Sequence, residues 1–204
     1  MIREILNIGK KLYIVASNTK YNVKIFDVEN NILLHEIKNL GKKILASTNP
    51  RIAFDCSSDG LYVALINPDN HRTINIYNIN DMNIIEYINI NQSFEINYSP
   101  DNQNIAVSGP HGIEIINIET KSRKQFVNKY VGNLTYSSDG KCIIFVDSKC
   151  TNKILDISNN TIKKINKNYG SVLNLNITSD SKFLIYNNFG IYIYNFEKKY
   201  QIAF

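Results

Sequence analysis

Apolar and polar residues alternate along most of the chain in short runs, and turn residues interrupt those runs at nearly regular intervals. The pattern is clearest across residues 52–90. IAFDC (52–56), LYVALI (61–66), TINIYNI (73–79) and NIIEYINI (83–90) are each rich in β-branched and aromatic side chains, and each alternates or stays apolar over a few residues. Short runs of this kind, bounded by Asp, Asn, Ser and Gly, predict β-strands. No window places apolar residues at i, i+3, i+4 and i+7 between capping signals, so no helix is predicted.

The same four-run phrase returns along the chain. Ser57-Ser58-Asp59-Gly60 precedes LYVALI, Ser99-Pro100-Asp101-Asn102 precedes QNIAVS, Ser137-Ser138-Asp139-Gly140 precedes KCIIFV, and Thr178-Ser179-Asp180-Ser181 precedes KFLIY. A second phrase, an apolar pair followed by Asp or Asn, puts its polar residue at Asp27, Asn78, Asn117, Asp156 and Asn195. The last three steps are equal at 39 residues, and the first is 51, which is 39 with 12 inserted. Asp-Gly and Asp-Asn between strand runs predict tight two-residue hairpins, because these residues tolerate positive φ.

Composition agrees with an all-β chain. Of 204 residues, 34 are Ile and 31 are Asn, with 13 Tyr against 9 Gly and 4 Pro. Isoleucine and tyrosine favour strands, while asparagine favours turns and weakens helices. AT-rich coding would produce the same bias, so the periodicity carries the argument. No apolar stretch approaches 18 residues, and the N-terminus lacks the hydrophobic region and cleavage site of a secretory signal. Three widely spaced cysteines imply no disulfide framework. A cytoplasmic, intracellular protein is expected.

Four antiparallel strands in units of about 40 residues are the signature of a β-propeller blade. The Asp-containing turns between strands a and b, and the apolar-Asp/Asn dipeptides closing strand c, resemble the WD40-like propeller repeat family in a degenerate form. Those dipeptides stand where the family places Trp-Asp. Trp is absent from the chain, and no Gly-His precedes any strand a. The expected fold is therefore all-β: a single propeller domain over residues 1–204, of about five four-stranded blades at 2–37, 51–90, 94–129, 131–167 and 171–204. A closed ring is expected. The alternative is an arc of a larger or multi-chain ring, whose exposed end faces would drive self-association.

In this family, the loops joining strands b and c and strands d and a line one face. His71, Arg72, His111 and Lys149 fall at b–c tips, and the insertion 39–50 adds Lys42 and Lys43 beside Ile44 and Leu45. These eight residues are the expected binding set, because loops on a rigid scaffold carry function disproportionately. His71, His111 and Cys150 could be read as metal ligands, but no close ligand spacing supports that, and no metal or other cofactor is expected. The net charge of +5 comes with basic residues on and beside the outer strands, among them Lys121, Arg123, Lys124, Lys163 and Lys164. They fit protection of exposed strand edges, or an acidic partner or RNA on the rim. No catalytic motif is present, and the repeated turn aspartates read as structural. The expectation is a non-catalytic scaffold for a protein partner of unknown identity. An RNA- or ribosome-associated propeller is the first alternative and a central-pocket hydrolase the second.

Overall fold

The computed structural model describes residues 2–8, 12–17, 22–27, 30–37, 52–167, 172, 174–187 and 190–203. These form twenty strands in five four-stranded antiparallel sheets, each built from consecutive strands in chain order. The first sheet holds β1 (Ile2–Ile8), β2 (Leu12–Ser17), β3 (Asn22–Asp27) and β4 (Ile32–Ile37). The second holds β5 (Phe54–Cys56), β6 (Tyr62–Ile66), β7 (Thr73–Asn78) and β8 (Ile84–Asn89). The third holds β9 (Glu95–Tyr98), β10 (Asn104–Gly109), β11 (Gly112–Asn117) and β12 (Arg123–Val127). The fourth holds β13 (Val131–Tyr136), β14 (Cys142–Asp147), β15 (Thr151–Asp156) and β16 (Thr161–Lys167), and the fifth β17 (Asn174–Ile177), β18 (Phe183–Asn187), β19 (Ile191–Asn195) and β20 (Tyr200–Ala203). No helix among the described residues is long and apolar enough to cross a membrane. Internal packing divides the chain into two compact units, Met1–Tyr98 and Ser99–Phe204.

The second strands of the middle three sheets, β6, β10 and β14, are buried on both faces, and this explains their continuous apolar runs in the sequence. On β14, Ile143 and Phe145 join a core with Ala106, Ile113, Leu134 and Leu155. The alternating Ile144 and Val146 join a second core with Val172, Leu175, Leu184 and Tyr186. In the first unit, Val63 and Leu65 of β6 pack with Val23, Ile25, Phe54 and Tyr77. Within each unit, neighbouring sheets thus bury one another's faces, each fully enclosed aliphatic or aromatic side chain contributing about 1.5–3 kcal/mol.

The turns between first and second strands differ from the expected two-residue hairpins. Cys56 and Tyr62 bracket five residues, and Tyr98/Asn104, Tyr136/Cys142 and Ile177/Phe183 do the same. Each turn is closed by its own side chains. The Ser137 hydroxyl donates to Asp139 Oδ1 at 2.7 Å and accepts the Cys142 N–H at 2.9 Å, while Asp139 Oδ1 also accepts the Lys141 N–H at 3.1 Å. Ser57/Asp59, Ser99/Asp101 and Thr178/Asp180 repeat this network. Positive φ is needed only at the fourth residue, filled by Gly60, Asn102, Gly140 and Ser181.

The apolar-Asp/Asn dipeptides have an equally local role. Asp27, Asn78, Asn117, Asp156 and Asn195 each accept a nearby backbone N–H through the side-chain oxygen, two or three residues on. Four residues beyond each stands a positive-φ residue: Asn31, Met82, Lys121, Asn160 and Lys199. This Asx turn suits either Asp or Asn, which is why the repeat uses both.

Pairing of the third and fourth strands is bulged in the first four sheets, at Leu34, Ile85, Phe126 and Ile165, each skipped in the register. Bulges twist an edge away from further pairing, and β12 and β16 also carry exposed Arg123, Lys124, Lys163 and Lys164.

Candidate functional site

Of the residues expected to bind, Lys42, Lys43, Ile44 and Leu45, with the rest of the 39–50 insertion, lie outside the described residues. His71 and Arg72 end the six-residue loop from β6 to β7. That loop is built by side chains: Asn67 Oδ1 accepts the Asp69 N–H at 2.9 Å, and Asn70 Oδ1 accepts the Arg72 N–H at 2.8 Å. His71 takes positive φ, and its ring meets Phe94 edge-on at 5.4 Å. Half-buried there, it has its pKa lowered by desolvation, which keeps the ring neutral at pH 7. Arg72 is exposed.

In the second unit, His111 lies exposed in the two-residue turn before β11, its carbonyl accepting Gln125 Nε2 at 2.9 Å. Lys149 is also exposed, in a turn organised by Asp147, whose Oδ1 accepts the N–H groups of Lys149 and Thr151 at 2.9 Å. Among the described residues, no group of three or more His, Cys, Asp or Glu is placed to hold a metal ion.

A cleft of about 600 Å³ opens in the second unit, between the third and fourth sheets at their turn ends. Sequence reading did not single it out. Three segments converge there: the turn Ser99–Asp101, the start of β12 and the turn Ser138–Lys141. Ile115, Phe126 and Ile157 supply apolar wall, with Tyr136 at its base. Tyr136 is 5% exposed, and burial followed by the neighbouring Asp101 charge pushes its phenol well above the ordinary tyrosine range. It stays neutral at all physiological pH.

The charges of the cleft divide into committed and available. Asp101 and Asp139 are tied into their turns, and the Ser137 hydroxyl holds the Asp139 carboxyl below its usual range. Arg123 lies 3.6 Å from Glu114 Oε1. Lys141 approaches Asp139 at 3.9 Å with most of its side chain in water, a weak pair. Lys124 pairs with no carboxylate among the described residues, and its ammonium stands 4.6 Å above the Phe126 ring.

A second unforeseen group is Asp55 on β5. Asp55 Oδ2 accepts both the Asn97 side-chain N–H₂ and the Tyr98 backbone N–H at 2.7 Å, joining β5 to β9. The residue is half-buried while its carboxylate is enclosed, and desolvation outweighs the hydrogen bonds and pushes its pKa up to about 7. A register signal was available for it. Asp55, Asn97, Thr135 and Asn176 each stand four residues before a turn aspartate, a polar residue recurring at the same place in the first strand of four sheets.

No family model matches the chain, and no curated protein matches it. Solved structures do match. The β-propeller domain of Cps50 (Swd1) from Myceliophteria thermophila aligns with a TM-score of 0.72 at 13% identity, covering 96% of this chain and 68% of that one. The chain has a β-propeller fold. Kuenenia stuttgartiensis hydrazine synthase aligns with a TM-score of 0.69 at 14% identity, covering 95% of this chain and 62% of the other. The propeller described here thus spans less than two thirds of that second chain. At such identities the likeness is one of fold, and it agrees with the WD40-like resemblance of the repeats at that level.

Proposed function

We propose that this propeller is a non-catalytic scaffold that holds a protein partner. The observation that carries the reading is the cleft of the second unit. Its volume falls in the range of about 300–1,000 Å³ typical of binding sites, yet its carboxylates and turn hydroxyls are bound into the turns that build it. It offers shaped apolar wall and cations, and it lacks a nucleophile set against a base. The exposed loop residues Arg72, His111 and Lys149, with half-buried His71 beside Arg72, add further contact surface of the kind loops supply on rigid scaffolds.

An RNA-associated role has its own observation, the exposed Arg and Lys of β12 and β16. A tagged pull-down at moderate salt, with and without nuclease, separates the two. A discrete protein retained after nuclease supports the scaffold. Recovery of RNA, or of proteins lost on nuclease treatment, transfers the role to the basic strands, with the steep salt dependence of phosphate binding.

A further inference from the structure

The turn-end cleft between the third and fourth sheets is specific enough in its chemistry to name the kind of partner segment it fits. We infer that it takes an extended acidic peptide segment, seating a carboxylate at Lys124 and Lys141 and an apolar side chain against Ile115, Phe126 and Ile157. This rests on the scaffold reading and deepens it.

Charge complementarity is the first argument. The cleft's own carboxylates already accept hydrogen bonds within their turns: Asp101 Oδ1 from Ser99 and Gln103, Asp139 Oδ1 from Ser137 and Lys141. Its cations are less committed. Among the described residues, Lys124 meets the Phe126 ring and no carboxylate, and Lys141 has a solvated contact at 3.9 Å. A ligand carboxylate can therefore reach Lys124 without displacing an existing ion pair. The apolar wall is the second argument, since Ile115 and Ile157 gain by being covered.

The same geometry disfavours RNA in this cleft. A phosphate chain carries a charge at every nucleotide and would bring several of them against Asp101 and Asp139.

The test uses the full chain and three fluorescent probes in anisotropy titrations: a short peptide alternating Glu with Leu and Phe, its counterpart with Lys in place of Glu, and a uridine oligonucleotide. The acidic peptide is expected to bind, with affinity reduced about tenfold by Lys124→Glu and also reduced by Phe126→Ala. The Lys163→Glu variant alters an exposed outer-strand cation away from the cleft and is expected to leave binding unchanged. In the titrations, any of three outcomes overturns the inference: no binding of the acidic peptide, an equal loss with Lys163→Glu, or tighter binding of the oligonucleotide with the same Lys124 dependence. A protein partner recovered by pull-down and still retained by Lys124→Glu also overturns it while leaving the scaffold reading in place.

Discussion

Asp55 Oδ2 accepts the backbone N–H of Tyr98 at 2.7 Å, so an enclosed carboxylate ties strand β5 to strand β9. Because the folded carboxyl titrates near 7 and the unfolded one near 3.8, the folded chain holds the extra proton between those values. Stability therefore falls as pH rises through that window, by up to about 1.4 kcal/mol per unit from this group. Asp55→Asn keeps an acceptor for Tyr98 and removes the titration. Urea denaturation at several pH values from 4 to 7 should show wild type losing stability relative to Asp55→Asn. Parallel pH profiles for the two proteins would count against the enclosed carboxylate.

The turn networks predict a sharp contrast between adjacent serines. The buried Ser137 hydroxyl bonds both Asp139 and the Cys142 N–H, whereas the side chain of exposed Ser138 meets Ser181. Ser137→Ala should cost about 1–2 kcal/mol, and Ser138→Ala less than about 0.5. Denaturant midpoints of the two variants check this directly, and similar values would remove the hydroxyl from its bridging role.

Sheet-on-sheet packing makes Phe145 the most demanding core position of the second unit. It is 1% exposed on a strand buried on both faces. Phe145→Ala should cost about 3–5 kcal/mol, enough to threaten folding altogether. Ile185 is 37% exposed, and Ile185→Ala should cost under about 1 kcal/mol. Thermal unfolding of the two variants reads the difference.

These contrasts mark where the repeat pattern is legible and where it is not. Asp59, Asp101, Asp139 and Asp180 announce themselves in the sequence because every turn needs a carboxylate to accept the N–H two residues on. Period-two alternation does the same for strands whose neighbours cover one face. The length of the turn escaped notice because the Ser or Thr hydroxyl, which sets it at five residues, looks like ordinary loop composition. The cleft was hidden for a different reason. Ile115, Phe126, Tyr136 and Lys141 come from separate segments, and only the register of the two sheets brings them together. Asp55 was one of eighteen acids until its burial was known.

Glycine shows the same divide, and it supplies a further test. The sequence draws attention to Gly140, in an Asp-Gly turn, yet the structure makes Gly112 the more exacting site. Gly112 has a φ of +99°, and an added Cβ would lie 1.6 Å from the Val127 carbonyl oxygen. That carbonyl belongs to backbone at the bulged end of the β11–β12 pairing, where Ile113 stands opposite Val127, so it cannot swing aside as a side chain would. At Gly140, φ is +70° and a Cβ would meet only Pro100 Cδ at an ordinary 3.6 Å. Gly140→Ala should therefore lose only the left-handed penalty, about 1–2 kcal/mol. Gly112→Ala adds the backbone clash and should lose about 3 kcal/mol or more, with β12 loosened from β11. Because β12 carries Lys124 and Phe126, the Gly112 variant should also weaken acidic-peptide binding while Gly140→Ala, if folded, disturbs it less. Equal destabilisation by the two substitutions would mean that strand β12 yields to the new side chain, and that the wall of the cleft is softer than its pairing implies.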